Sequence, residues 1–348
     1  MKKIIMNILF AATVFLFASC GEWTDPESLE VKTPSFEEQN PVLYAEYIAS
    51  LNNYKARPHK ITIVTFENTE TISGQINLLT SLPDSIDYIS LINPDKLHPE
   101  TIREMDEVRK KGTKVIYDVD FAVLDNEWTA MQIADKEGKL TEEDAVKHFV
   151  DRTKEMLSLC DNYGYDGITF SYAGRSHVSL TEPEKVIYTG RQNAFFNTVA
   201  AWHESHERKF LAFIGNAQYL FDEAKTLLEM CDYIILATNM AKNADEFSVR
   251  AQLAVKSGNV PSDRFIANVQ TTQPDDPDQL YGYFGTLDEN GNKIRAIFGA
   301  AEWVKMSSPD ITRAGLLIHN AHYDYYDSSL NYRYIREAIG IMNPSPKN

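Results

Sequence analysis

Short apolar runs alternate along the chain with longer stretches whose apolar residues return every three or four positions. The short runs are Ile61–Phe66, Tyr88–Ile92, Lys114–Val119, Gly167–Tyr172, Phe210–Gly215, Tyr233–Thr238, Phe265–Thr271 and Gly315–Asn320. Their length and their Val, Ile, Phe and Tyr content predict strands. Helices are predicted between them. Pro99–Lys110 opens on Pro and stops before Gly112, the asymmetry expected of a helix. Glu142–Asn162 sets Val146, Phe149, Val150, Met156, Leu157 and Cys160 at helical spacing, and Phe221–Met230, Glu246–Lys256 and Tyr332–Met342 read the same way. About eight strand–helix units predict an α/β fold, a (β/α)8 TIM barrel. A doubly wound open sheet is the alternative. No strong internal repeat and no low-complexity block is present. Two connections are long, Phe121 to about Leu140 and Gln273 to about Lys293, the second with a turn expected at Asn290-Gly291. Long βα loops belong at a barrel's carboxyl mouth, where ligands bind.

The first residues have a different pattern. Lys2 and Lys3 precede an apolar run, Ile4 to Phe17, interrupted by Asn7 and Thr13. That run is short for a membrane span and has the flanks of a signal peptide. Phe17-Ala18-Ser19-Cys20 resembles a bacterial lipobox, with Phe17 where Leu is commoner; the resemblance implies cleavage before Cys20 and lipidation of its thiol. Gly21-Glu22-Trp23-Thr24-Asp25 is similar to the surface-export signal of outer-membrane lipoproteins in glycan-degrading Gram-negative bacteria. The expected organisation is a signal peptide over 1–19, a lipidated Cys with flexible tether and lead-in over 20–57, and the barrel over 58–348. A lipid chain would then be the only contact with a membrane. An ordinary secreted or periplasmic protein, with Cys20 incidental, is the alternative.

Composition narrows the partners. The chain has 348 residues, 43% of them hydrophobic, and a formal charge of −16. Such a surface disfavours nucleic acid and anionic lipid, while a neutral glycan is compatible with it. Besides Cys20 there are Cys160 and Cys231, both in apolar segments that predict buried thiols. No Cys/His spacing points to zinc, so no metal and no cofactor is expected. His319 and His322 with Asp324 match no metal motif, and His203 and His206 fall at a polar helix end, where solvation is expected.

The most specific stretch is Tyr165-Asp166-Gly167-Ile168-Thr169-Phe170-Ser171-Tyr172-Ala173 on the fourth predicted strand. It resembles the signature strand of glycoside hydrolase family 18, the chitinases and endo-N-acetylglucosaminidases, written Asp-Gly-x-Asp-x-Asp-x-Glu. Asp166 and Gly167 fit. Thr169, Ser171 and Ala173 stand where the family has acids. Alternate strand residues share a face, so these three positions would climb from a barrel's interior to its mouth. The resemblance implies that the missing Glu is the proton donor and the missing neighbouring Asp the group that orients the substrate's acetamido oxygen. The implied protein is a non-catalytic glycan-binding lipoprotein, handing N-acetylglucosamine-containing glycans to an outer-membrane transporter and associated surface lipoproteins.

Residues at strand carboxyl ends are the candidate glycan contacts: Phe66, Asn68, Asn93, Asp118, Asp120, Tyr172, Arg175, Asn216, Asn239, Gln270, His319, Asn320 and Tyr323. Aromatic rings and planar amides suit the apolar faces and fixed hydroxyls of sugars. Asp118 and Asp120 alternate on one strand, which leaves a rival reading open: an active glycosidase whose acids have moved there.

Overall fold

A computed structural model describes residues 35–326 and 330–344. The expected signal peptide, Cys20 and the tether up to residue 34 lie outside them. Among the described residues no helix is long and apolar enough to cross a membrane. The chain divides into two compact units at Tyr47/Ile48. In the first, helix α1 (Phe36–Gln39) is started by Ser35, whose hydroxyl accepts from the Glu38 amide while the Glu38 carboxylate accepts from that of Ser35. Helix α2 (Pro41–Ala56) follows, so the last part of the segment read as tether and lead-in is helical.

The second unit is a closed barrel of eight parallel strands: β1 (Ile61–Phe66), β2 (Tyr88–Leu91), β3 (Lys114–Asp120), β4 (Gly167–Tyr172), β5 (Phe210–Gly215), β6 (Tyr233–Leu236), β7 (Phe265–Gln270) and β10 (Arg313–His319). β1 closes the ring against β10, pairing Ile61 with Gly315, which rules out the open sheet. Strand alternation sorts the apolar residues into two cores. Ile63, Ile116, Phe210, Ala212, Ile235, Ile266 and Leu317 fill the barrel. Their neighbours, such as Val64, Val115, Phe170, Phe213 and Ile318, face the surrounding helices and form the larger core.

Helices α3 (Pro99–Lys110) and α5 (Glu142–Asn162) occupy the predicted ranges. Between them, the expected loop from Phe121 is helix α4 (Phe121–Ala134). Asp120 starts it by accepting from the Ala122 amide at 2.9 Å. Phe121, Leu124 and Trp128, three and four residues apart, are its buried stripe. Helix α6 (Glu182–Ser205) follows β4 and buries His203, which is therefore not a solvated end residue; burial holds its imidazole below the usual range. The helix predicted over Phe221–Met230 is a short α7 (Asp222–Lys225) continued by a tighter 3-10 turn. α8 (Asp245–Lys256) precedes β7. The long connection after β7 contains an antiparallel hairpin, β8 (Tyr283–Leu287) and β9 (Lys293–Arg295), turned at Gly291 with φ 81°. α9 (Ala296–Lys305) leads into β10, and α10 (Arg333–Met342) ends the fold.

Candidate functional site

The carboxyl ends of the strands open into a cleft of about 650 Å3, with Thr65, Ser90, Asp118, Asp120, His319 and Asn320 among its lining residues. On β3 and β4 the parity that fills the barrel with Ile116 also turns Asp118, Asp120, Thr169 and Ser171 inward. The pairing register sets Asp118 beside Thr169 and Asp120 beside Ser171. The Thr169 hydroxyl donates to Asp118 Oδ1 at 2.7 Å, and the Ser171 hydroxyl donates to Oδ2. Two positions that carry acids in the resembled motif therefore point their hydroxyls at a carboxylate one strand away.

Burial pushes Asp118 up to about 6, helped by the charge of Asp120, while the hydroxyls of Ser171 and Thr169 partly oppose the rise. Burial raises Asp120 as well, against the bond its carboxylate receives from the Ala122 amide. Across the cleft His319 is lowered to about 4 by desolvation, so its ring is neutral near pH 7. Asn320 adopts the left-handed conformation (φ 59°), its amide donating to Thr65 Oγ1 and its carbonyl accepting from Thr271. Ala173, at the exit of β4, is exposed and has no proton to give. Its carbonyl accepts from the Asn216 side chain at 2.8 Å, tying the ends of β4 and β5 together.

The intact half of the motif lies at the opposite end of β4. Asp166 Oδ2 accepts from Arg109 Nε at 2.9 Å and from the Val115 amide at 2.8 Å, fastening α3 and β3 to the start of β4. Gly167 has φ 153°, and a Cβ there would meet the Phe210 carbonyl at 2.2 Å. The retained pair is structural.

Asp118, Asp120, His319 and Asn320, four of the candidate contacts, thus line one cleft. Two aromatic candidates are corrected. Phe66 and Tyr172 have the outward parity of their strands and are buried against the helices, Tyr172 with its ring 4.9 Å from Phe121 and 5.8 Å from Phe196. Asn68 and Asn93 are occupied with each other: the Asn68 amide donates to the Asn93 carbonyl, the Asn93 amide donates to the Asn68 carbonyl, and the Asn93 N–H donates to Asn68 Oδ1. The pair locks two mouth loops. Arg175 lies over the Tyr188 ring of α6 at 5.5 Å. Gln270 donates to the carbonyl of exposed Asn239, linking the rim between β6 and β7. Tyr323 lines a neighbouring cavity instead of the mouth. Thr65 and Ser90 line the cleft without being among the expected contacts, although strand parity alone points both inward.

His322 stands 3.5 Å from Glu67, and Asp324 accepts from the amides of Tyr334 and Ile335. Among the described residues no group of three or more His, Cys, Asp or Glu side chains is arranged to hold a metal ion. Cys160 and Cys231 are buried free thiols.

The sequence profile of glycoside hydrolase family 18, BT1044-like, matches residues 24–341. Among solved structures the chain is similar to a selenomethionine glutamate-to-glutamine variant of BT1044, with 18% identity over 89% of this chain and 96% of that one and a TM-score of 0.61. It is also similar to an endo-β-N-acetylglucosaminidase from Cordyceps militaris (16% identity, 85% and 95% covered, TM-score 0.58) and to a family GH18 chitinase from Pseudoalteromonas aurantia (13% identity, 80% and 99% covered, TM-score 0.50). At these identities the likeness is one of fold. No curated protein matches the chain. With a profile match that runs through nearly the whole barrel, the chain belongs to the BT1044-like group of glycoside hydrolase family 18.

Proposed function

We propose that the protein binds N-acetylglucosamine-containing glycans, N-glycans among them, at the barrel mouth without hydrolysing them. The observation that carries this reading is Ala173 at the exit of β4, with Ser171 and Thr169 behind it in the other acid positions. Family 18 hydrolysis is substrate-assisted, an exception to the two-carboxylate scheme. It needs an acid to protonate the leaving oxygen and a carboxylate to steady the acetamido group. A methyl group can do neither. General acid catalysis alone is worth about 10²–10⁴-fold, and the orienting carboxylate is replaced as well. What remains suits recognition. Asp120, Asn320 and neutral His319 line the mouth with polar groups for sugar hydroxyls.

The rival reading, hydrolysis through Asp118 or Asp120, is favoured by one observation: an acid held up at about 6 is protonated often enough to donate. Against it, both Asp118 oxygens already accept hydroxyls and Asp120 caps α4. Incubating the purified soluble domain with chitooligosaccharides and with released N-glycans separates the two. Saturable binding without product supports the binding protein; turnover abolished by Asp118→Asn supports the enzyme.

The lipobox-like Phe17-Ala18-Ser19-Cys20 and the acidic residues behind it support a lipid anchor on the outer membrane, facing the cell exterior. There the protein passes glycan to an outer-membrane transporter and its companion lipoproteins for import and degradation. Cys20→Ala moving the protein from the membrane to the soluble fraction tests the anchor. Loss of the protein on protease treatment of whole cells tests its exposure.

A further inference from the structure

The amino end of the barrel, opposite the mouth, holds a buried pair of titratable groups. His59 and Asp87 stand just ahead of β1 and β2. Their side chains are 8% and 7% exposed, and His59 Nε2 lies 2.8 Å from Asp87 Oδ1. His59 Nδ1 lies 2.7 Å from the Arg57 carbonyl. The other carboxylate oxygen of Asp87 accepts from the Thr62 amide at 2.8 Å.

Both ring nitrogens therefore face oxygens that only accept. A neutral imidazole has one N–H. It donates to one of these oxygens and turns a lone pair on the other, at under 3 Å. Both contacts are made together only when the pair holds one further proton, and imidazole is the stronger base of the two, so the ring is imidazolium. The bond to Asp87 raises His59 above its usual range; desolvation and the charge of Lys55 oppose the rise, and the Arg57 carbonyl adds to it.

The surrounding contacts fasten the segment 48–60 to the same end of the barrel. The Tyr54 ring lies 4.6 Å from that of His59. Lys55 Nζ donates to the Ile86 carbonyl at 2.7 Å and to the Thr113 hydroxyl. Asn52 donates to the Lys110 carbonyl, and the Lys60 amide donates to the Asn343 side chain. Tyr54 is pushed up to about 12 by burial, with the charge of Asp87 adding to it, and stays neutral. Lys55 is lowered to about 8 by burial, and a neutral amine there still donates to the Ile86 carbonyl. Asp84 and Lys111, paired at 2.8 Å, act on Lys55 in opposite senses. His59 is thus the group whose loss of a proton breaks a contact.

We propose that His59 and Asp87 form a proton-operated latch, which fastens the segment 48–60 to the amino end of the barrel while the ring is charged and lets it open once the ring is neutral. The latch governs how the chain ahead of the barrel is held and leaves the mouth, at the other end of the strands, as it is. Since His59 is raised in the folded chain, the fastening is complete below 6.5 and is lost as pH rises through the folded value.

Hydrogen exchange of the purified protein at pH 5.5 and pH 9, corrected for the intrinsic pH dependence of amide exchange, tests it. Protection of peptides within 48–60 is expected to fall about tenfold at the higher pH, the loss of one well-made hydrogen bond to a charged group. Peptides from β4 report opening of the whole fold and should fall less. In His59→Gln, protection of 48–60 should no longer differ between the two pH values beyond the change seen in β4. Unchanged protection of 48–60 in the wild type overturns the latch, whether or not the variant folds. Equal falls in 48–60 and β4 mean that the whole fold opens, and overturn it too. A local fall that persists in His59→Gln assigns the effect to another group and overturns it as well.

Discussion

Thr169 of β4 donates its hydroxyl to the Asp118 carboxylate of β3 across 2.7 Å, in a position where the family motif carries an acid of its own. Ser171 repeats the contact on the other oxygen. A carboxylate at 169 or 171 would face Asp118 directly, and two like charges at that range suppress each other's ionisation. The hydroxyls and Asp118 therefore form one polar unit at the floor of the mouth.

Asp118 should make stability fall as pH rises. Its folded-state value is raised from 3.8 to about 6 by burial. Between those values the folded chain holds a proton that the unfolded chain has lost, so stability is greatest below 3.8 and declines through pH 6. A rise of this size corresponds to a loss of at most ~3 kcal/mol. Asp118→Asn should remove the decline, leaving a variant at least as stable as wild type at pH 7. Urea unfolding of both proteins at pH 4, 5, 6 and 7 checks this, and an unchanged slope in the variant would contradict it.

His319 should act in the opposite direction. Desolvation lowers it from 6.5 to about 4. In that window the unfolded chain binds the proton and the folded one does not, so stability is full above 6.5 and is lost as pH falls toward 4. His319→Gln should flatten the acid limb of the stability curve. Because the ring is already neutral at pH 7, the same substitution should leave the pH dependence of glycan binding between 6.5 and 8 unaltered, measured by titration at both ends.

Gly167 and Asp166 should behave as structural residues. Gly167→Ala sets a Cβ 2.2 Å from the Phe210 carbonyl on the neighbouring strand, and a loss of more than about 3 kcal/mol is expected, among the larger effects of single substitutions. Asp166→Ala removes the acceptor for Arg109 and the Val115 amide and should cost about 2 kcal/mol. Both are read by chemical denaturation, with binding by the folded fraction unaffected. Loss of binding without loss of stability would contradict the assignment.

The barrel is legible in the sequence because its strands and helices differ in period. Glu142–Asn162 and Pro99–Lys110 carry their own start and stop signals, and the barrel strands are compact, largely apolar runs. α4 is not legible, because Phe121, Leu124 and Trp128 make a thin stripe and the capping Asp120 also continues the strand pattern of β3. At the site, height along a strand does not suffice; parity decides which side chain reaches the cleft. Phe66 and Tyr172 are at the correct height on the wrong face, while Thr65 and Ser90 are on the correct face. The Asn68–Asn93 lock depends on contacts between distant segments, which no local pattern encodes.

The most direct test incubates the purified soluble domain with chitooligosaccharides and released N-glycans, following binding by calorimetry and products by mass spectrometry in one sample. Saturable binding with the sugars recovered intact is the predicted result. Cleavage that proceeds to completion and disappears in Asp118→Asn would contradict the account.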